Sequence, residues 1–283
     1  MTVLEAIQKS ADFLGKKGVE SSRLNAELLL AHQLKLPRMK LYLNFERVLN
    51  AAETDGYREL VKRRGLREPL QHITGSTLFC GCEISVSRHA LVPRPETELL
   101  AELGWQFLAT CNLQPATALD FGTGTGCIAI ALAVKSPDAK IFALDLSADA
   151  LALAKQNAAN NKATERIEFL QSDGFDALPG VAQFDLIISN PPYIASAEIA
   201  TLEPEVKDFD PLAALDGGVD GLVFYRRLTK ESAAFLKPDG KIMVEFGDDQ
   251  ADAIKKIFES EMWIVEAVQE DYSHRARILV ARR

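Results

Sequence analysis

The chain has 283 residues, 47% of them apolar and 25% charged, with a net charge of −8. That composition suits a folded protein of one large or two smaller domains and excludes a disordered or low-complexity chain. No run of about 18 apolar residues occurs, and Met1-Thr2-Val3-Leu4-Glu5 lacks a basic stretch leading into an apolar one, so neither a membrane span nor a signal peptide is expected and a cytoplasmic location is the default. The charge is uneven: residues 1–72 carry a balance of +4 and residues 73–283 a balance of −12. Two parts with different partners are implied, and the acidic larger part argues against a broad nucleic-acid-binding surface. Cys80, Cys82, Cys111 and Cys127 and the scattered His32, His72, His89 and His274 offer no four-ligand metal set. Reduced thiols are expected, with Cys80 and Cys82 on one face of a strand.

Residues 2–64 read as helices with short joints. Thr2-x-x-Glu5 and Asn50-x-x-Glu53 are capping boxes, and each opens a stretch with apolar residues at helical spacing. Between them Ser21 or Ser22 opens a second helix, with Leu24, Leu28 and Leu29 assigned to one face, and Pro37 breaks it. Lys62-Arg63-Arg64 reads as a solvated helix end. Residues 1–70 are therefore expected to form a small helical bundle. Thr77 to Val86 then alternates around a central glycine, and the spacing predicts a β-hairpin linker over 71–93. Pro93-Arg94-Pro95-Glu96-Thr97-Glu98 rules out a helix interior but suits the first turn of a helix running to about Ala109.

From 116 onward, strands alternate with helices: 116–121, 140–144, 167–170, 184–188, 241–245, and two more near 262–269 and 276–281. Repeated βα units give a mostly parallel sheet with helices on both faces, and ligands bind at the carboxyl edge of such a sheet. Several candidate residues fall on that edge. Gly122-Thr123-Gly124-Thr125-Gly126 joins a strand to a helix, where glycines permit a sharp turn and close approach of the backbone to a ligand. Cys at 127 breaks the G-x-G-x-x-G dinucleotide spacing. Asp145 ends the next strand and suits the two hydroxyls of a ribose. Asp120, just before the turn, suits a cationic amino group such as that of S-adenosylmethionine. Asp173 suits an adenine amino group, with Phe175 lining the adenine pocket.

Ser189-Asn190-Pro191-Pro192-Tyr193 follows a buried strand on the same edge. The prolines carry no N–H, so the turn offers acceptors and few competing donors. Asn190 Oδ1 and the Pro191 carbonyl can accept both hydrogens of a planar –NH2 group, with Tyr193 lying flat beside it. The cradle alone fits a glutamine amide or a nucleobase equally.

Here the residues resemble a family. Asp120 to Gly126 resembles motif I of class I S-adenosylmethionine-dependent methyltransferases, and Asn190-Pro191-Pro192-Tyr193 resembles the signature of their amino-methylating members. Pro69-x-x-His72-Ile73-Thr74-Gly75, Val92 to Glu98, Glu203-Pro204-Glu205-Val206 and Ala214-Leu215-Asp216-Gly217-Gly218 are similar to the bacterial release factor glutamine methyltransferase family over nearly the whole chain. The resemblance implies an α/β, Rossmann-like class I methyltransferase fold with a mostly parallel seven-stranded sheet over 94–283, preceded by the helical domain and the hairpin linker. It implies N5-methylation of the glutamine in the Gly-Gly-Gln motif of peptide chain release factors, with S-adenosylmethionine as donor and S-adenosylhomocysteine as product. Asn190, Pro191 and Tyr193 would be catalytic, Pro192 would join them in holding the substrate, and Asp120, 122–126, Asp145, Asp173, Phe175 and Asn190 would hold the cofactor. Release factors are the expected partners, docked by the helical domain, with no nucleic-acid or membrane partner. The chain departs from the family in having Gly174 where an aromatic commonly follows the acid. Two other readings stay open: an amino methyltransferase acting on adenine N6 or guanine N2, and a cofactor-binding interaction module without catalysis.

Overall fold

The computed structural model describes residues 1–111, 115–178 and 183–283. The chain forms two compact units: Met1–Ser76 with Glu203–Phe209, and Thr77–Leu202 with Asp210–Arg283.

The first unit contains helices α1 (Val3–Lys16), α2 (Ser22–Leu34), α3 (Arg38–Tyr42), α4 (Ala51–Gly65) and α5 (Leu70–Thr74). Both predicted capping boxes form, with Thr2 and Glu5 bonding reciprocally at α1 and Asn50 and Glu53 at α4. The face of α2 differs from the sequence reading. Ala26, Leu29 and Leu30 are fully buried, whereas Leu24 is 40% exposed: residue 24 lies a turn from 28 on the outer flank, and the packing against α1 and α4 selects the adjacent stripe. The basic run is also not merely a solvated end. Arg64 is buried and its Nε donates to Asn25 Oδ1 at 2.9 Å.

The predicted hairpin, β1 (Ser76–Phe79) and β2 (Cys82–Ser85), begins at the last residue of the first unit and otherwise belongs to the second. Cys80 and Gly81 make its two-residue turn, both at positive φ (50° and 83°), the geometry of a type I′ turn. Cys80 is therefore in the turn rather than on a strand face shared with Cys82. Asn157 clamps the hairpin to the sheet layers, accepting from Ser85 N and donating to Ser85 O and Thr125 O.

The remaining elements are α6 (Pro95–Leu108), β3 (Thr117–Phe121), α7 (Cys127–Lys135), β4 (Lys140–Asp145), α8 (Ala148–Asn160), β5 (Ile167–Gln171), β6 (Phe184–Ser189), α9 (Pro204–Lys207, which belongs with the first unit), α10 (Val223–Glu231), β7 (Leu236–Glu245), α11 (Ala251–Ser260), β8 (Ile264–Glu270) and β9 (Ala276–Arg282). Seven strands form one sheet in the order β5-β4-β3-β6-β7-β9-β8, parallel except for β9, which runs antiparallel to both β7 and β8. The expected mostly parallel seven-stranded sheet is present. Side chains alternate between two cores: Leu186 and Ile188 pack with α6 and α7, while Ile187 packs with Phe142, Tyr225, Ile254 and Phe258 on the other face. The chain leaves β3 toward β4 and β5, then returns to β6 on the other side of β3. The carboxyl end of β3 is thus a topological switch point, where a sheet of this kind opens a ligand crevice.

Candidate active site

A cavity of about 400 Å³ opens at that switch point. Its wall combines the turn after β3 (122–125), Asp145 at the end of β4 and Ser147 just past it, Asp173 and Gly174 after β5, and Asn190, Pro191 and Pro192 after β6. Gly122, Gly124 and Gly126 all take positive φ (76°, 54° and 82°), and Gly126 is the cap residue of α7. Gly122 N and Thr123 N donate to Leu144 O at 2.9 and 2.8 Å, which ties the turn to the end of β4. Asp145 organises both neighbours, with Oδ2 accepting from Gly124 N and Oδ1 from Ser147 N, each at 2.8 Å.

Asp120 lies beneath the turn, fully buried and outside the cavity wall. Its Oδ2 accepts from Thr123 Oγ1 at 2.6 Å and Ala129 N at 3.1 Å, while Oδ1 is buried and has no hydrogen-bond partner among the described residues. Burial pushes its pKa up to about 7, against the lowering effect of those two bonds. Asp173 is on the wall but exposed, held by Arg227, whose Nη1 meets Asp173 Oδ1 at 2.5 Å and whose Nη2 donates to Asp173 O at 2.8 Å.

Besides Asp120, three predicted residues fall off the wall. The Phe175 ring stacks between Phe121 and Phe235 at centroid separations of 5.0 and 5.1 Å and is buried in the core. An apolar ring one residue past the exposed pair 173–174 is drawn into the aromatic layer rather than toward the cavity. Tyr193 also lies outside the wall: its carbonyl accepts from Gln250 Nε2 at 2.8 Å and its ring packs on the β7 and α11 side. Burial, then the charge of Glu245, push its hydroxyl pKa up to about 12. Gly126 likewise stays behind the wall as a helix cap. The sites brought together are therefore 122–125, Asp145, Asp173 and 190–192.

Several wall residues had no sequence assignment. Arg94 and Pro93 reach the cavity before α6, with Arg94 Nη2 bonded to Asp210 Oδ2 at 2.6 Å and Val92 N to Asp210 Oδ1. Burial pushes the Asp210 carboxyl up despite Arg94. Thr97 and Arg227 come from helices, and Pro211, Ala213 and Ala214 from the loop after Asp210. Glu245, the last residue of β7, lies behind Asn190. Its position as a strand-ending acid at the carboxyl edge is the same signal that marked Asp145.

Chemically, the wall offers backbone donors and a carboxylate on one side and, on the other, a carboxamide with proline carbonyls. That suits a polar adenosine-like ligand next to a planar NH2 group. Among the described residues, no helix is long and apolar enough to cross a membrane and no cluster of three His, Cys, Asp or Glu is placed to hold a metal.

Residues 5–75 match the family description "PrmC N-terminal domain" and residues 102–203 "Methyltransferase small domain". The chain is 42% identical over 257 residues to a release factor glutamine methyltransferase of Geobacter sulfurreducens, covering 91% of this chain and 88% of the relative. It is 38% identical over 280 residues to the protein of that description in Chlorobaculum tepidum, covering 96% and 94%. Among solved structures, the hMettl16 catalytic domain in complex with an RNA hairpin superposes with a TM-score of 0.57 at 17% identity, covering 78% of this chain and 80% of that one. This last likeness is one of fold alone.

Proposed function

We propose that this chain, which belongs to the release factor glutamine methyltransferase family, transfers a methyl group from S-adenosylmethionine to the side-chain nitrogen of the glutamine in the Gly-Gly-Gln motif of peptide chain release factors. The observation that carries the reading is that Asn190, Pro191 and Pro192 share one cavity with the 122–125 turn and Asp145. The acceptor half and the cofactor half of a methyl-transfer site thus face each other. The residues fit the cofactor: a Cβ at Gly122 would meet no atom within 4 Å, which leaves the turn open to close approach by a ligand, and Asp120 Oδ1, beneath the turn, is buried without a partner among the described residues. Asp145 would hold the ribose, the 122–125 turn the amino-acid part, and Asp173 the adenine edge. Bound there, S-adenosylmethionine supplies a methyl group on a sulfonium, already an excellent leaving group.

The protein's task is then positioning. An amide nitrogen is a poor nucleophile because its lone pair is delocalised into the carbonyl. Asn190 Oδ1 and the Pro191 carbonyl accept its two N–H bonds, which fixes the nitrogen's orientation and favours positive charge building on it. Tyr193 contributes less directly than a stacking partner would, by anchoring the backbone after the cradle. Residues 1–72, with their balance of +4, are the candidate for docking the release factor. The test is transfer of labelled methyl to purified release factor, with a Gln→Ala release factor, DNA and ribosomal RNA as controls. Label in intact release factor alone is expected; label in nucleic acid alone would overturn the reading in favour of a base methyltransferase.

A further inference from the structure

Ser189 pairs with Val244 in the parallel β6–β7 register, so Asn190, just past β6, and Glu245, the last residue of β7, emerge side by side. Thr97, in the first turn of α6, stands next to both. Asn190 Nδ2 donates to Thr97 Oγ1 at 3.1 Å, and both side chains are hydrogen-bonding neighbours of the Glu245 carboxyl. Thr97 and Glu245 are shielded, each 3% exposed. Glu245 Oε2 is buried with no partner among the described residues. An ionised carboxyl beside the Thr97 hydroxyl and the Asn190 carboxamide offers acceptors only.

The direction of the chain follows from donor counting. Thr97 has one hydroxyl proton. Having accepted from Asn190 Nδ2, it keeps that proton to donate onward, and the Glu245 carboxyl is the acceptor beside it. Glu245 also faces Asn190, and toward an acceptor only Nδ2 can point. A carboxamide is nearly symmetric in shape, so packing alone does not choose between its oxygen and its nitrogen. A pure acceptor behind it does.

We propose that Glu245, acting with the Thr97 hydroxyl, is a positioning residue that locks the Asn190 carboxamide with Nδ2 inward and Oδ1 toward the cavity. The claim rests on the reading of Asn190 as acceptor for the substrate amide. Without the lock, Asn190 turns over for part of the time and presents a donor to a donor, which opposes binding of an –NH2 group. A buried carboxyl with one unmet oxygen is costly to keep, and this role accounts for its presence.

The test uses full-length Glu245→Met, which removes the acceptor at similar length, and Glu245→Gln, which can keep an acceptor oxygen in place. With release factor as substrate, Glu245→Met is expected to lower kcat by at least roughly ten-fold, because the acceptor is misoriented for part of the time. S-adenosylhomocysteine affinity by calorimetry should stay at the wild-type value, and Glu245→Gln should retain most of the activity. Unchanged kcat in Glu245→Met overturns the proposal. So does an equal loss in Glu245→Gln, which would mean the group acts through its charge. Thr97→Val and Thr97→Ser test the same chain from its middle, should Glu245→Met fail to fold: Val is expected to lose activity and Ser to recover most of that loss, and equal effects would overturn the lock. A second readout needs no substrate. In ¹⁵N-labelled protein the Asn190 side-chain NH2 signal, identified by its loss in Asn190→Asp, should exchange slowly with solvent in wild type. In Glu245→Met, or in Thr97→Val if that is the variant that folds, exchange should be roughly ten-fold faster. Equal exchange rates overturn the lock. Absence of methyl transfer by the wild-type enzyme would instead remove the proposed function and leave the exchange result to decide the lock.

Discussion

Asn190 and Tyr193 read in the sequence as two halves of one cradle, and they part company in the folded chain. Asn190 reaches the cavity, while Tyr193 is not on its wall and ties its backbone to Gln250. Asn190→Ala should therefore lower kcat by about 10²-fold with little change in cofactor affinity. Tyr193→Phe, which keeps the ring, should leave kcat within about three-fold of wild type, since the hydroxyl is not at the cavity wall; steady-state kinetics on release factor checks both. Asp120 separates charge from geometry. Its carboxyl, ordinarily near 3.8, is raised to about 7 by burial, so the folded state holds a proton that the unfolded chain has released. Its contribution to stability is present below the ordinary carboxyl range and is lost as pH rises through about 7. The melting temperature of Asp120→Asn relative to wild type should accordingly rise between pH 5 and pH 8. An offset independent of pH would show that Asp120 titrates normally. The turn glycines, Asp145 and Asn190 were legible in sequence because a strand end followed by a turn is a local event. Glu245 carries the same strand-ending signal as Asp145, but Thr97 carries none, since it meets Asn190 across 93 residues of chain.

At the scale of elements, the clearest lesson concerns α4 and α9. Lys62-Arg63-Arg64 has the composition of a solvated helix end, yet the three residues do different work. Arg64 Nε bonds Asn25 and its Nη2 bonds Glu205 Oε1 at 2.8 Å. Arg67 Nε reaches the same Glu205 oxygen, and its Nη2 reaches Glu203, at 2.6 Å each. The arginines hold the Glu205 carboxyl below its ordinary range against the raising effect of burial. The 203–209 segment is thereby pinned to the helices of the first unit. Arg64→Ala leaves Asn25 and Glu205 short of a buried partner and should destabilise that unit by about 3 kcal/mol, whereas Lys62→Ala should stay within about 0.5 kcal/mol. Amide hydrogen exchange in α2, α4 and 203–209 resolves the two. No periodicity marks Arg64 as buried, because its partners lie 39 and 141 residues away. A second element-scale case is α10, whose Arg227 sits over Gly174. A Cβ at 174 would lie 2.1 Å from Arg227 Nη2, and the φ of 93° disfavours side chains in any case. Gly174→Phe should thus displace Arg227 and weaken S-adenosylhomocysteine binding, measured by calorimetry; unaltered affinity would remove Arg227 from the adenine end of the site.

For the molecule as a whole, the sheet order is what turns scattered motifs into a site. β4, β3, β6 and β7 are neighbours, so residues following four strands far apart in sequence arrive at one edge. The alternation of strands and helices was readable because buried parallel strands announce themselves as apolar runs. The aromatic layer that takes Phe175 was not, because the choice between cavity and core is made by neighbours from β3 and the 232–235 turn. The physics of the cavity admits any planar NH2 group, and membership of the family selects glutamine. The most direct measurement of that selection is mass spectrometry of the Gly-Gly-Gln peptide from release factor incubated with this enzyme and S-adenosylmethionine. The account predicts one added methyl group on the glutamine side chain with wild type and almost none with Asn190→Ala. An unmodified glutamine with active wild-type enzyme, or equal methylation by both proteins, would contradict it.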